Sequence, residues 1–109
     1  MIKIHVLRKP DRKVIGFQTE GHSGFDVSGR DIICAGISAL EITLVNATEE
    51  LTDAKFSCRE DDRNGLFSFR LLSEDNRNAG LLLESCLIGF RSIEEEYGGR
   101  FLKITDEEV

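Results

Sequence analysis

Two long segments with helical spacing of apolar residues constrain the fold of this chain most. The first runs from Asp31 to about Leu51, and its apolar residues fall on one stripe: Ile33, Ile37, Leu40, Leu44, Ala47 and Leu51. The second covers residues 77–97, is ended by Gly98-Gly99, and has a comparable stripe: Leu83, Cys86, Leu87, Phe90, Ile93 and Tyr97. The pattern predicts two helices that each bury one face. The other sides of the first helix are also rather apolar, which indicates cover on more than one face.

Alternating apolar and polar residues predict five strands around these helices. Residues 2–8 and 13–20 form one hairpin, and residues 54–60 and 66–72 form another around Asn64-Gly65. A short strand from Phe101 to Ile104 follows the second helix. The order ββαββαβ predicts an α/β (α+β) two-layer sandwich, with two helices on a mixed or antiparallel sheet. With 109 residues and no linker or repeat, we expect a single domain, residues 1–109.

Charge and cysteine usage exclude several classes of protein. The chain has 14 basic and 20 acidic residues, so its formal charge is 14 − 20 = −6, which disfavours nucleic acid and favours a basic partner. No apolar run approaches the roughly 20 residues of a membrane span, and the N-terminus lacks a signal-peptide layout. We therefore expect a cytoplasmic protein without membrane contact. Three separated cysteines make no disulfide framework, and no ligand pair indicates zinc, so neither metal nor cofactor is expected.

The three cysteines have different environments in this pattern. Cys58 shares an alternating face with Phe56, and Cys86 lies on a helical apolar stripe, so both are predicted to be buried core residues. Cys34 leaves the stripe of the first helix, so its side chain should avoid the main core. Steps of three and four residues from it reach a narrow polar strip: Ser38, Glu41 and Thr48. Cys34 also follows a plausible helix cap at Asp31. Backbone N–H groups and the helix dipole stabilise a nucleophilic thiolate there.

Two histidines compete for the role of general base. His5 alternates onto the outer face of the first strand, where an exposed histidine is commonplace. His22 follows the second strand in the glycine-rich loop Gly21–Gly29, which allows close approach to a neighbour. If that strand packs against the helix beginning at Asp31, His22 and Cys34 meet at one edge of the sheet. A Cys–His dyad at that edge can catalyse covalent acyl transfer.

Two further polar residues, Asp31 and Ser38, each allow two interpretations. Asp31 either caps the helix only or also orients His22 as the third member of a triad. Ser38 lies one turn after Cys34 and is either a solvated or helix-bonded serine or a supporting residue of the site. Backbone N–H groups of the first helical turn are candidates for an oxyanion hole.

A sequence signature surrounds these residues. It consists of Gly21-His22-Ser23-Gly24 and, after a short loop, Gly29-Arg30-Asp31-Ile32-Ile33-Cys34-Ala35-Gly36-Ile37-Ser38-Ala39-Leu40. In these residues and in the spacing between histidine and cysteine, the chain resembles the ribosomal-processing cysteine protease Prp family. The detailed resemblance covers about residues 20–41, and the rest of the chain is similar to the family in length and element order.

The resemblance implies an activity, a substrate and a set of site residues. It implies that His22 is the base and Cys34 the nucleophile, with other signature positions at Gly21, Asp31 and Ser38. The loop between them is thought to move over the substrate in this family, and here it contains Ser23, Gly24, Phe25 and Gly29. Family members remove a short N-terminal extension from a bacterial large-subunit ribosomal protein and are typically homodimers. The resemblance thus implies that precursor as partner and a homodimeric enzyme.

Two alternatives remain open at this stage. In the first alternative, the chain is a non-catalytic ribosome-assembly protein, whose Gly-His loop and helix start bind a basic ribosomal protein without cleaving it. The acidic charge argues against direct RNA binding but not against that partner. A hydrolase of another acyl substrate is a further option, because dyad chemistry does not dictate peptide specificity. A binder leaves the precursor intact, whereas a protease shortens it.

Overall fold

The computed structural model describes residues 1–21 and 32–109, and these residues form the predicted order ββαββαβ. The elements are β1 (Ile2–Arg8), β2 (Val14–Glu20), α1 (Ile32–Leu51), β3 (Phe56–Asp61), β4 (Leu66–Leu71), α2 (Arg77–Tyr97) and β5 (Leu102–Glu108). The predicted class, two helices with a mixed sheet, is confirmed. The bounds of β1 and α2 are the predicted ones, and those of the other elements differ from the predicted bounds by at most two residues, except at β5.

The sheet has the strand order β3-β4-β2-β1-β5. Strands β1 and β5 are parallel, and every other neighbouring pair is antiparallel. The prediction that the last strand ends at Ile104 is wrong, because β5 continues beside β1 as far as the pair Arg8 and Glu108. The added residues are exposed and polar, so they carry no alternation for a sequence pattern to detect. Asp106 binds Arg8 there, with Nε–Oδ1 at 3.0 Å.

The core lies between the sheet and the two helices. Phe17 on β2 is at its centre, with ring centroids 5.8 Å from Phe67, 6.2 Å from Phe69 and 5.0 Å from Phe90 of α2. Phe90 meets Phe17 edge-on, which is a favourable aromatic geometry. Ile4 on β1 is fully buried beside them. The alternation that predicted the strands therefore also identified the face that the helices cover.

Local signals explain both ends of α2. The Asn76 side chain accepts a hydrogen bond from the backbone N–H of Ala79 at 2.9 Å, which satisfies one of the unpaired donors of the first turn. At the other end Gly98 has φ of 83°, a conformation that glycine adopts without steric cost. The Gly98 N–H donates to the Glu94 carbonyl at 2.8 Å. The predicted end of this helix at a glycine pair is thereby explained.

The buried face of α1 differs from the predicted stripe. Its buried residues are Ile33, Ile37, Glu41, Leu44 and Thr48. The predicted stripe residue Leu51 is 70% exposed, whereas two residues of the polar strip are buried. Each buried polar group has a partner, because Thr48 donates to the Leu44 carbonyl at 2.7 Å and Glu41 accepts from Thr19. Hydrogen bonding is what makes their burial tolerable.

By length and composition alone, α1 is long and apolar enough to cross a membrane, which the search for uninterrupted apolar runs did not predict. The central helix of a packed domain passes the same test. In this fold Ile33, Ile37 and Leu44 of α1 belong to the hydrophobic core. The apolar character of the helix is thus partly used in packing.

Candidate active site

Cys34 lies in the first turn of α1, as the sequence predicted. Its side chain is half-buried and packs against the edge of the hydrophobic core, so it avoids the core less completely than expected. It is a thiol, not part of a disulfide. The predicted cap of this helix, Asp31, lies outside the described residues. A position in a first helical turn favours the thiolate form, which is the nucleophile.

Cys34 lines a cavity of about 160 Å³ between α1 and one end of the sheet. Ser38 and Glu41, which follow Cys34 on the same side of α1, line it as well. From the sheet, β2 contributes Thr19 and the chain directly after β2 contributes Gly21. The end of β2 and the first half of α1 therefore border the same space beside the thiol.

Gly21 occupies a position that a larger residue would strain. Its φ is +87°, which L-residues rarely adopt, and a Cβ there would lie 2.5 Å from the Met1 carbonyl oxygen. The next residue in the chain is His22. His22 itself, like Ser23, Gly24, Phe25 and Gly29, lies outside the described residues. The structure thus positions both chain ends that flank residues 22–31. On one side Gly21 lines the cavity, and on the other side Cys34, two residues after the chain resumes at Ile32, lines it as well.

Ser38 is one turn beyond Cys34 on α1. It is exposed, and it lines the same cavity. This position agrees with either interpretation of the residue, solvated or supporting. The described part of the cavity therefore brings together a thiol, a hydroxyl and the carboxyl group of Glu41.

Glu41 is the residue of this cavity that sequence reasoning did not single out. It is only 7% exposed, and its Oε2 accepts a hydrogen bond of 2.7 Å from the Thr19 hydroxyl. Burial raises the pKa of Glu41 to about 7, the Thr19 hydrogen bond opposes that shift, and the nearby Glu60 adds to it. The signal available in the sequence is the spacing of seven residues from Cys34, but that spacing predicts only a place on the polar strip of α1 and not burial.

A second cavity, of about 260 Å³, continues from the first along α1 towards β3. The two share Ser38, Glu41, Glu60 and Phe67. The second extends further to Ile42, Val45, Asn46 and Cys58. The two cavities therefore form one groove, which we call the α1–β3 groove, with Cys34 near one end.

The other two cysteines differ from each other. Cys86 is buried as predicted, and burial, with a smaller contribution from Glu41, raises the pKa of its thiol to about 12. The prediction that Cys58 is a core residue is wrong, because it is exposed. Its strand β3 is at the edge of the sheet, where the α1–β3 groove takes the place of a packed helix. An alternating pattern indicates the face of a side chain but not whether that face is covered.

His5 is not near Cys34. It lies on β1 between the buried residues Ile4 and Val6, so its side chain points to the opposite face of the sheet. There its Nε2 is 3.3 Å from Glu20 Oε1 and its Nδ1 is 3.3 Å from the Thr105 hydroxyl. It is half-buried, not fully exposed as expected. Its distance from the cavity leaves His22 as the histidine of interest.

Comparison with known proteins gives a consistent result over nearly the whole chain. A family model described as cysteine protease Prp matches residues 1–101. A Staphylococcus aureus protein named ribosomal processing cysteine protease Prp is 35% identical over 97 residues, covering 89% of this chain and 92% of the relative. A Bacillus subtilis protein of the same name is 30% identical over 101 residues, covering 89% and 90%.

Solved structures agree with this result. The crystal structure of the S. aureus protease Prp in complex with a covalently linked product peptide has a TM-score of 0.92 at 32% identity, covering 98% of this chain and all of that one. A second S. aureus structure, in complex with a substrate peptide, has a TM-score of 0.87 at 31% identity with the same coverage.

Fold, cavity and similarity together define this protein as a cysteine protease. Its fold is that of peptidases whose structures contain bound substrate and product peptides. The chain belongs to the family of ribosomal-processing cysteine proteases Prp.

Proposed function

We propose that this cysteine protease removes the N-terminal extension of a bacterial large-subunit ribosomal protein precursor, with Cys34 as nucleophile and His22 as general base. The observation that carries the proposal is that Gly21 and Cys34 line one cavity. His22 follows Gly21 directly in the sequence, so the proposed base is bonded to a residue that lines the cavity of the proposed nucleophile.

The reaction proceeds in two acyl-transfer steps. His22 takes the proton of the Cys34 thiol, and the thiolate attacks the carbonyl carbon of the scissile bond. The tetrahedral intermediate collapses as His22 protonates the leaving amine, which leaves a thioester on Cys34. Water, deprotonated by His22, then attacks the thioester and releases the extension. Backbone N–H groups of the first turn of α1 stabilise the oxyanion in both steps.

Other residues have supporting roles in this proposal. Asp31 caps α1 and orients His22, and Ser38 supports the Cys34 side of the cavity. The proposal assigns contact with the bound peptide to residues of the loop after Gly21: Ser23, Gly24, Phe25 and Gly29. The S. aureus structures with substrate and product peptides support a peptide as the ligand of this fold.

The charge of the site favours a basic substrate. The cavity at Cys34 is lined by Glu41, Glu60 and Asp62, and the chain carries a formal charge of −6. Opposite charges accelerate encounter and fix orientation. Ribosomal proteins are mostly basic, so a precursor of one complements this surface, and nucleic acid does not.

We also propose that the enzyme is a cytoplasmic homodimer. Three large apolar residues of α1 are more than half exposed in the single chain: Ile32 at 51%, Ile42 at 59% and Leu51 at 70%. Contact with a second copy would remove such surface from water. Sedimentation equilibrium at micromolar concentration is expected to give the mass of two chains, and the mass of one chain would contradict this part of the proposal.

The test of the function is the intact mass of the precursor before and after incubation with the enzyme. We expect the wild type to shorten it at one site, and Cys34→Ala, Cys34→Ser and His22→Ala to leave it intact. Cys58→Ser is the matched control, because it removes an exposed thiol away from the proposed dyad and is expected to retain cleavage. Turnover by Cys34→Ala would overturn the role of Cys34. A wild type that binds the precursor without shortening it would instead favour the non-catalytic assembly protein.

A further inference from the structure

We infer that Glu41 is a positioning residue for the proposed cleavage: by accepting the Thr19 hydroxyl proton in a hydrogen bond, it holds the end of β2 against the helix that carries Cys34. The inference rests on the proposed function, since it concerns the distance between the two halves of the proposed dyad. It adds a residue pair that is not among the signature residues quoted above, 21–24 and 29–40.

The position of the bond in the chain is the first argument. Thr19 precedes His22 by three residues, and Glu41 follows Cys34 by seven, which is about two helical turns on the same side of α1. Thr19, Gly21, Cys34 and Glu41 all line the cavity. The bond therefore joins α1, which bears the proposed nucleophile, to β2, which ends two residues before the proposed base in the sequence.

The geometry of the bond is the second argument. The Thr19 Oγ1 to Glu41 Oε2 distance is 2.7 Å, typical of a good O–H···O hydrogen bond. Thr19 is 4% exposed and Glu41 is 7% exposed, so water competes little for either group. A buried bond of this kind fixes the separation of two elements more firmly than an exposed one.

The third argument is that packing alone does not require a carboxyl group at this place. Glu41 is flanked on its buried face by Ile37 and Leu44, and an apolar side chain there would avoid the cost of burying a carboxylate. The raised pKa of Glu41 reflects that cost, because burial disfavours the charged form of the carboxyl group. A polar pair that costs stability and lies in the cavity of the reactive thiol is better explained by a contribution to the site.

Several titratable groups face Glu41 and will affect any pH profile. Glu60 on β3 raises the pKa of Glu41, and Asp62, in the turn after β3, lines the same cavity. Glu41 in turn raises the thiol pKa of Cys58 on β3 and of Cys86 on α2. On α1 itself, Cys34 lines the same cavity as Glu41. The experiment therefore compares variants at each pH instead of interpreting one profile alone.

The experiment uses four variants of the full chain and one control. Thr19→Val removes the donor and Glu41→Leu removes the acceptor, whereas Thr19→Ser and Glu41→Gln keep a hydroxyl and an amide oxygen for the same bond. Thr52→Val is the control, because Thr52 Oγ1 also donates a short hydrogen bond, 2.6 Å to the Thr48 carbonyl, at the far end of α1. Each protein is measured for kcat and KM on a precursor peptide and for thermal unfolding.

We expect Thr19→Val and Glu41→Leu to lower kcat by at least about tenfold with KM changed less than about threefold, as for loss of an interaction that matters in the reaction step. Thr19→Ser is expected to keep most of the wild-type kcat, because it retains the hydroxyl donor. Thr52→Val lowers stability without lowering kcat at temperatures where the protein is folded. Unchanged kcat in folded Thr19→Val and Glu41→Leu, beside an active wild type, would overturn the inference and leave the proposed function intact.

A second readout does not depend on the peptide. The alkylation rate of Cys34 by iodoacetamide, followed by peptide mapping from pH 5 to pH 9, reports the midpoint at which the thiolate forms. If Thr19 and Glu41 position His22 beside Cys34, Thr19→Val shifts this midpoint upwards by about one pH unit or more, because a neighbouring imidazolium lowers a thiol pKa. The same midpoint in wild type and Thr19→Val would overturn the inference. A wild type without peptide cleavage would separately contradict the proposed function.

Discussion

Cys58 and Phe69 are directly opposed partners on neighbouring strands and share the helix-facing side of the sheet, yet Phe69 is fully buried and Cys58 is exposed. The difference follows from the strand order. Phe69 lies on β4, inside the sheet, whereas Cys58 lies on the edge strand β3 and borders the α1–β3 groove. Two thiols of this chain are therefore in contrasting environments, Cys58 in the groove and Cys86 in the core.

The first prediction concerns the reactivity of these two thiols. In the folded protein, iodoacetamide is expected to modify Cys58 and to leave Cys86 unmodified, because Cys86 is buried and its pKa is raised to about 12. Partial burial, Glu60 and Glu41 also raise the pKa of Cys58, so its rate at pH 8 should be below that of an unstructured cysteine. Peptide mapping after timed alkylation measures both rates.

The matched variant for this measurement is Glu60→Gln, which removes one negative charge that disfavours the Cys58 thiolate. It should accelerate modification of Cys58 at pH 8 and leave Cys86 unreactive. Modification of Cys86 as fast as that of Cys58 in folded protein would show that the packing of α2 against α1 is looser than described.

The second prediction concerns stability against pH. The folded-state pKa of Glu41 is raised from 4.5 to about 7, with burial as the main cause. Below pH 4.5 both folded and unfolded chains hold this proton, and between pH 4.5 and about 7 only the folded chain does. The contribution of Glu41 to the free energy of unfolding is thus fully present at low pH and falls as the pH rises to about 7, by at most about 3 kcal/mol.

Glu41→Gln should remove this fall. Urea unfolding measures the free energy of unfolding of the variant and the wild type at pH 5 and at pH 8. The free energy of the variant minus that of the wild type is expected to be about 1–3 kcal/mol larger at pH 8 than at pH 5. If the free energies of unfolding of variant and wild type differ by the same amount at both pH values, the carboxyl of Glu41 titrates as an ordinary exposed group. Since Glu41→Gln keeps an acceptor for Thr19, this comparison isolates the charge from the hydrogen bond.

The sequence predicted the elements well because their core faces repeat regularly. Phe17, Phe69 and Phe90 each lie where a period of two or 3.6 puts them, and each is fully buried. The failures occur where burial depends on a distant partner. Glu41 is buried because Thr19, 22 residues away, donates to it. No local pattern contains that information.

The candidate site was predictable to a similar degree. The position of Cys34 in a first helical turn and its neighbour Ser38 followed from helical spacing alone. The cavity did not, because it depends on Thr19 and Gly21 at the end of β2 meeting α1 from the other side. The sequence indicated candidate residues for the chemistry, whereas the tertiary fold determines which polar groups lie beside Cys34.

The third prediction compares two glycines by the space around them. Gly80 lies in α2 and a Cβ there would meet nothing within 4 Å, so Gly80→Ala should stabilise the protein by about 0.5–1 kcal/mol through helix propensity. Gly16 lies on β2, where a Cβ would collide with the Phe69 carbonyl oxygen and lie 3.0 Å from the Arg70 Cα. Both are backbone atoms of β4, which cannot move without disturbing the sheet.

Gly16→Ala is therefore expected to destabilise the protein by about 1–3 kcal/mol, as overpacking does. Thermal unfolding of both variants checks the pair, with opposite signs of the change in melting temperature expected. A Gly16→Ala protein as stable as wild type would indicate a wider spacing between β2 and β4 than the structure has.

The last prediction concerns Gly21, where backbone conformation and site meet. Gly21→Ala forces an L-residue to φ of +87° and brings its Cβ within 2.5 Å of the Met1 carbonyl oxygen, so the chain after β2 must shift. We expect a loss of about 1–3 kcal/mol in unfolding free energy. In the proposed mechanism the same shift moves His22, so kcat should fall by more than about tenfold at temperatures where the variant is folded. Gly99→Ala is the matched control, because its Cβ would meet nothing within 4 Å and its φ lies outside the positive range. Gly21→Ala with the kcat and melting temperature of Gly99→Ala would show that neither the strain at Gly21 nor its place beside Cys34 matters to the enzyme.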